Sequence, residues 1–511
     1  MGEDFKWGHL LRDGKLKPSS VRVIDKMHSV IIVGGGCSGL AAGWSLHRNN
    51  VKDFVILEMA SQLGGTAQSG SRDGLEFPWG AHYVETPPRE AGYLFPLYED
   101  LGIIMGYYDN GWPIINSEFT VRDPEVMMYT GKNWIPSRYP HSLASKEDSN
   151  AYQTFRHKMY QYFHTFGSDG KKVFTLPIQA TSQDSTFRKL DQITMKQYLE
   201  MENLSYPLLE WYVDMQCRDN FGARIDEISA WVAINYFATN FTSYRSEEEK
   251  KHPVDVISWV EGNQYLVRGM RKHFSQDNVK NNALVVDIKN NGNHVLITYF
   301  DTNDEKFYAL KGKSAIIALP KFQLPLICKE FQLKKELLKA FQYAPWIVAN
   351  IHVKHPPRGK PLAWDNISYS NWSLGYIYNS YLNMRLRNKE SQPSVITFYA
   401  PLLQNGIENE RKNLLMKGWD YWANRVVNDI KLMHPNISSL IERIDIVKWG
   451  HAMIRPTPNF VWGREREEMV KPINRIHFAH SDVGGLPIFE QAFYSGEQAV
   501  KNILKSKDFF S

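Results

Sequence analysis

Cysteine is scarce: the 511 residues hold three, Cys37, Cys217 and Cys328, an odd number set far apart. That excludes a disulfide framework and any closely spaced thiolate metal site. No metal is expected, and the cytoplasm, a reducing compartment, is the simplest setting. Long apolar runs are missing too. No stretch reaches the roughly 18 apolar residues of a spanning helix, which leaves only peripheral membrane contact open. The opening MGEDFKWGHLLRDGKLKPSS lacks the apolar centre of a signal peptide. Charge of one sign is not in excess either, with 60 basic against 55 acidic residues. The charge runs are short and mixed, as in SEEEKKH (Ser246–His252), unlike the clustered basic face of a nucleic-acid binder. Internal repeats and low-complexity segments are absent.

What is present is length and aromatic content. A chain of 511 residues exceeds one ordinary core and implies two or more domains. Aromatics make up 13% of it, including 15 Trp and 26 Tyr, enough to line an apolar pocket or to fill large cores.

The stretch VIIVGGGCSGLAAGWSL (Val30–Leu46) sets three consecutive glycines, Gly34 to Gly36, directly behind an apolar run. Ser29–Val33 reads as a buried parallel strand. Ser38–Leu46 reads as a helix, and KDFVILE (Lys52–Glu58) as a second buried strand, together a βαβ unit. Gly34, Gly36 and Gly39 fit G-x-G-x-x-G at the strand-to-helix turn. There glycine permits a tight turn, close approach of a pyrophosphate and close helix–strand packing. The helix N-terminus offers free N–H groups to the anion. Glu58 ends the second strand at the spacing of an acid that binds ribose hydroxyls. The motif predicts a bound dinucleotide. Further along, NALVVDIKNNGNHVLITYF (Asn282–Phe300) reads as two strands, SAIIALP (Ser314–Pro320) as a buried strand, and Leu414–Leu432 as a helical stretch. The tail reads as a strand, a glycine turn and an amphipathic helix.

A second glycine pair, Gly64 and Gly65, follows Glu58 in ASQLGGTAQSG, and GLEFPWGAHYVETPP (Gly74–Pro88) adds another glycine among aromatics. On these residues the chain resembles the FAD-binding amine oxidase and phytoene desaturase superfamily, with Thr66 where many members carry arginine and Pro78 where they often carry an acid. RIHFAHSD, ending at Asp482, and GGLPIFEQAFYSGEQAV resemble the family's terminal cofactor segment. The final helix is expected to start at Pro487 and to pack through Ile488, Phe489, Ala492, Phe493, Val500 and Leu504. WVEGNQYLVRGM (Trp259–Met270) resembles the return into the cofactor domain. RDNFGARIDEISAWVAINYFA (Arg218–Ala238), WDNISYSNWSLGY (Trp364–Tyr376) and KWGHAMIRPTP (Lys448–Pro458) look closest to the bacterial spermidine dehydrogenase-like branch.

The resemblance implies an α/β fold: a Rossmann-like FAD-binding domain of glutathione-reductase type, amine-oxidase-like, with a discontinuous α+β substrate domain. The expected segments are an N-terminal extension (1–25), FAD-binding parts at 26–92, 255–330 and 445–511, and substrate-domain parts at 93–254 and 331–444. It implies FAD held by Gly34, Gly36, Cys37, Ser38, Gly39, Glu58, Gly64, Gly65, Thr66, Gly80, Ala81, His82, Val285, Ser481, Asp482, Ile488 and Phe489. The implied reaction is oxidation of a C–N bond of an amine or amino acid, with hydride passing to the flavin. Oxygen, a quinone or another protein stay open as electron acceptor. The lysine of the monoamine oxidases falls on Val348 here, and their cage residue before the last helix on Ile488. The catalytic candidates are His451 and Arg455, which suit a polar or anionic substrate group, and His82 and Tyr83. The alternatives are a desaturase or isomerase acting on an apolar C–C substrate, and a non-catalytic flavoprotein used as a binding module.

Overall fold

The structure, a computed structural model, describes residues 5–18, 20–121, 125–239, 256–357, 363–382 and 392–506; the charge run Ser246–His252 lies outside them. The chain forms two compact units. One comprises Glu3–Gln68, Tyr265–Gln342 and Phe460–Ser511, and the other Met1–Gly2, Ser69–Gln264 and Tyr343–Asn459.

The first unit is built on a parallel sheet. Val21–Val33 lies between Phe54–Leu57 and Lys306–Ile317, with Val30 opposite Phe54 and Ser314. Val279–Lys280 adds one parallel edge, and Ile476–Phe478 pairs parallel with the end of Lys306–Ile317. The run Val30–Val33 is at most 2% exposed, which is why it reads as continuously apolar rather than alternating. The earlier half of Lys306–Ile317 pairs antiparallel with Val295–Asp301, which in turn pairs with Ala283–Asn290. Helix Cys37–Arg48 follows the first strand, and Trp44 packs on Phe493 of the terminal helix Phe489–Lys505. Of the expected extension 1–25, the described residues 5–18 and 20–25 fold onto this unit: Trp7, Leu11 and Leu16 pack against Leu284, Val286 and Phe300.

The second unit carries a seven-stranded, mainly antiparallel sheet in the order Ile441–Ile454, Tyr343–Val353, Ser394–Pro401, Gly375–Tyr378, Asp365–Ser368, Val126–Tyr129, Trp134–Ile135. Ile347, Ala349, Ile351 and Phe398 share a buried core with Trp422, Val426 and Ile430 of helix Trp419–Met433. Side chains alternate across a sheet, so the register gives Val348, Asn350, Thr397, Tyr399 and Val447 the other face. Residues 78–79 lie on that face: Asn350 Nδ2 donates to the Pro78 carbonyl at 3.0 Å and Trp449 Nε1 to the Trp79 carbonyl at 2.7 Å.

Several boundaries differ from the sequence reading. Residues 69–92, 256–264 and 445–459, expected in the cofactor domain, fold with the second unit, because Tyr83–Glu85 pairs with Val256–Ser258 and Ile441–Ile454 runs through the antiparallel sheet. The helical stretch 414–432 is two helices, Ile407–Met416 and Trp419–Met433, since Lys417 is extended and Gly418 begins the second as its N-cap. The last helix starts at Phe489, with Ile488 an extended N-cap and Pro487 outside it. Its buried face ends on Ile503; Leu504 is half-buried.

Candidate functional site

In the parallel-sheet unit, the candidate surface is backbone. Gly34 has φ +99°, and a Cβ there would stand 2.7 Å from the Ala318 carbonyl oxygen. Only glycine adopts that turn without strain. A Cβ on Gly39 would stand 1.9 Å from the Gly34 oxygen, so the helix packs onto its own entry loop through a missing side chain. Gly36 is the extended N-cap of helix Cys37–Arg48; it has no side-chain cap, and a Cβ there would meet nothing within 4 Å. The first N–H groups of that helix therefore stand open to an anion. Gly64 N donates to the Gly35 carbonyl at 2.9 Å, and Gly36 bridges Gly64, which joins the two glycine loops. Thr66 sits in the short turn Gly65–Ala67 that follows.

Glu58 closes this surface from the second strand. Its carboxylate accepts from Gly35 N at 2.7 Å and Ala60 N at 2.8 Å. Burial pushes its pKa up while these N–H groups oppose the rise, and the two contacts fix its orientation. Val285 lies buried in the strand that leaves Glu58, where Ala283 N donates to the Glu58 carbonyl at 2.8 Å. Ser38 is buried in the first turn of the glycine helix, and the Cys37 thiol beside it is pushed up to about 12 by burial and by Glu490. That keeps the thiol protonated at neutral pH.

Asp482 is fully buried, and its carboxylate accepts from Lys321 N at 2.9 Å and lies 3.2 Å from His480 Nδ1. These contacts tie it to the end of the central strand. Ser481 opens the short helical turn and Phe489 the terminal helix. Sequence reasoning passed over Glu490 and Gln491, both buried in that first turn. Burial pushes Glu490 up to about 7. The signal was available as two polar residues placed inside an apolar stripe.

In the antiparallel unit the surface is made of side chains. Gly80, Ala81 and His82 belong to this unit, and the backbone around His82 is held on several sides. Ser258 Oγ donates to the His82 carbonyl at 2.6 Å, Asn263 N to Ala81 O and Asn263 Nδ2 to Tyr83 O, each at 3.0 Å. Gly262, at φ +64°, is what lets the second segment come so close: a Cβ there would stand 2.7 Å from Ala81 O. The His82 ring lies 5.2 Å from Tyr83, 5.2 Å from Tyr399 and 5.7 Å from Trp364, between ring centroids. Tyr83 donates to Asn220 Oδ1 at 3.1 Å.

Charged groups are set into these rings. Arg138 spans Glu125 at 3.1 Å and Asp365 at 3.2 Å, and Tyr399 donates to Asp365 at 3.1 Å. Burial pushes Asp365 up to about 6, against the pull of Arg138. Asp219 goes up to about 7 through burial and the nearby Asp365. His82 falls to about 4 through burial, so the imidazole is neutral at pH 7. Arg138, Asp219, Trp364, Asp365 and Tyr399 were not selected from the sequence, although RDNFG and WDN had been singled out as branch-specific stretches.

The other two candidates lie elsewhere on the unit's contacts. Arg455 is buried, donates through Nε to the Gly222 carbonyl at 3.0 Å and pairs with Glu227. The His451 ring is 6.1 Å from that of Tyr343. Val348 shares the Tyr399 face of the sheet, directly opposite Tyr399 in register.

Residues 32–101 match the model of the NAD(P)-binding Rossmann-like domain. Putrescine oxidase, in its wild-type form bound to putrescine, superposes with a TM-score of 0.66 at 16% identity, covering 95% of this chain and 100% of that one. The chain has the amine-oxidase fold. Polyamine oxidase 1 of Zea mays is 30% identical over 94 residues, which is 18% of this chain and 16% of that protein. The match thus spans about a sixth of that relative's length. The amine-oxidase fold also serves other chemistry: a fatty acid isomerase from P. acnes superposes with a TM-score of 0.64 at 14% identity, covering 94% of this chain and 99% of that one. Among the described residues no helix is long and apolar enough to cross a membrane.

Proposed function

We propose that the chain is an FAD-dependent oxidoreductase that oxidises a C–N bond of a small amine. The residues fit the dinucleotide. The uncapped helix start at Gly36, where a Cβ would enter open space, suits a pyrophosphate, and the oriented Glu58 suits ribose hydroxyls. FAD, when bound, supplies a flavin ring that accepts a hydride.

The observation that carries the amine reading is the cluster around His82. Acidic groups outnumber basic ones there, and the surrounding faces are aromatic, which favours an organic cation over a neutral polyene. In this reading Trp364, Tyr83 and Tyr399 hold the carbon skeleton and exclude water, while neutral His82 packs without adding positive charge. Arg138 fixes Asp365, and Arg455 serves to hold the unit together through Glu227 and Gly222.

The purified protein is expected to be yellow and to release FAD on denaturation. Anaerobic mixing with amines, amino acids and polyenes then tests the substrate class, with amines expected to bleach the visible flavin band. Conversion of a polyene without bleaching would replace the amine reading by isomerisation. A colourless protein that takes up no added FAD would end both. Following the return of colour with oxygen, a quinone or a carrier protein identifies the electron acceptor.

A further inference from the structure

We propose that Asp219 is the cation seat of the second unit, its carboxylate receiving the ammonium group of the ligand. This deepens the amine reading above and rests on it. Asp219 lies in helix Pro207–Phe221, one residue before Asn220, the acceptor of the Tyr83 hydroxyl. Among the described residues its carboxylate has no hydrogen-bond donor and no ion-pair partner; what acts on it is burial and charge alone.

The charges around it explain why. The charges of Asp365, Arg138 and Arg218 act on Asp219, and Asp219 in turn acts on the hydroxyls of Tyr83, Tyr236 and Tyr399. Arg138 is already bridged to Glu125 and Asp365, and Arg218 to Asp214 at 2.8 Å. Each neighbouring cation is therefore committed to another carboxylate, and the Tyr83 proton to Asn220. Four carboxylates, Glu125, Asp365, Asp214 and Asp219, thus stand against two guanidiniums, and a bound cation at the half-buried Asp219 compensates part of that excess.

A second atom points to the same ligand. Gln216 stands three residues earlier, on the same helical face, and donates to Tyr236 at 2.8 Å. It is 4% exposed, and its Oε1 has no hydrogen-bond partner among the described residues. An ammonium offers three N–H donors, which suits a carboxylate and a buried amide oxygen on one helix face. A neutral hydrocarbon would leave both unanswered.

The test uses the FAD-loaded protein and tert-butylammonium, which has no hydrogen on the carbon next to nitrogen and so binds without being oxidised. Its neutral partner is tert-butanol. Calorimetric titration of the wild type is expected to favour the ammonium. Asp219→Asn should weaken that ligand by about tenfold or more, as loss of a charged hydrogen-bond partner does, with tert-butanol unchanged and Asp219→Glu recovering part. Wild-type affinity for the ammonium should also fall from pH 8 to pH 6 as Asp219, near 7, takes up its proton. If the wild type does not prefer the ammonium, the amine reading falls with the seat. If it does, and Asp219→Asn binds equally well, only the seat falls. Should that variant not fold, the wild-type profile decides, and a flat line between pH 6 and pH 8 overturns the proposal.

Discussion

The two units build their candidate surfaces by opposite means. The parallel-sheet unit removes side chains: the turn at Gly34 and the packing at Gly39 depend on a missing Cβ, and Gly36 leaves the helix N-cap bare. The antiparallel unit adds them. Its cluster draws Arg138, Asp219, Tyr236, Asp365 and Tyr399 from five separate stretches onto the segment around His82. A surface of bare backbone tolerates no added volume but carries little identity. A surface of side chains tolerates small changes in shape but depends on which groups arrive.

Gly39→Val should break this contrast on the backbone side with the largest effect. Its Cβ would lie 1.9 Å from the Gly34 oxygen, and the helix cannot move off without opening the turn. The expected outcome is complete loss of bound FAD, read as flavin per chain after gel filtration. Tyr399→Phe, in the other unit, should keep its flavin.

Gly262→Ala sharpens the contrast from the side-chain unit. The new methyl meets Ala81 O at 2.7 Å at a φ of +64°, so the His82–Tyr83 backbone must shift. Displacement of about 1 Å near reacting groups lowers rates by roughly 10²-fold. We expect kcat/KM for the best amine to fall by about that factor while the flavin content stays full. A variant that loses flavin instead would show that this glycine serves the cofactor.

The same contrast explains what was legible in the sequence. Gly34, Gly36, Gly39 and Glu58 could be read because one short stretch must supply a strand, a turn and a helix in fixed order, and Gly34 and Gly39 there have no substitute. Asp219 and Asp365 could not, because nothing local distinguishes a carboxylate that faces a cluster from one that faces water. RDNFG and WDN were visible as unusual stretches, but joining them requires the sheet register that sets Asp365 and Tyr399 on one face. Arg455 shows the converse: a charged residue in a suggestive motif, committed in the fold to Glu227 and Gly222. The break at Gly418 was missed because its flanks are good helix formers on both sides, and the displaced start of the last helix because Pro487 suits a first helical position that the chain does not use.

Arg455→Met separates a bracing residue from a binding one, at a smaller scale. Removing the guanidinium leaves the Gly222 carbonyl without its donor and Glu227, whose side chain is 35% exposed, without its partner. Loss of such contacts costs about 1–3 kcal/mol, so the melting temperature should fall while KM for the amine holds. A raised KM with unchanged melting would put Arg455 on the substrate instead.

Asp219→Asn gives the smallest expected change and the most specific one. The carboxyl goes from an ordinary value of 3.8 to about 7 in the folded protein. Its neutral form is favoured by folding, so the stability it contributes is present below the ordinary value and is lost as pH rises through the folded one. Asparagine carries no such loss. The ligand-free variant should therefore melt higher than the wild type by a few degrees at pH 8, with the gap shrinking steadily toward pH 5. Adding tert-butylammonium at pH 8 should close the gap from the wild-type side, because the cation stabilises the ionised carboxylate and has little to offer the amide. A gap that is the same at both pH values would mean that Asp219 is not held against its charge by the fold, and its part in the negative excess that distinguishes the second unit from the first would be gone.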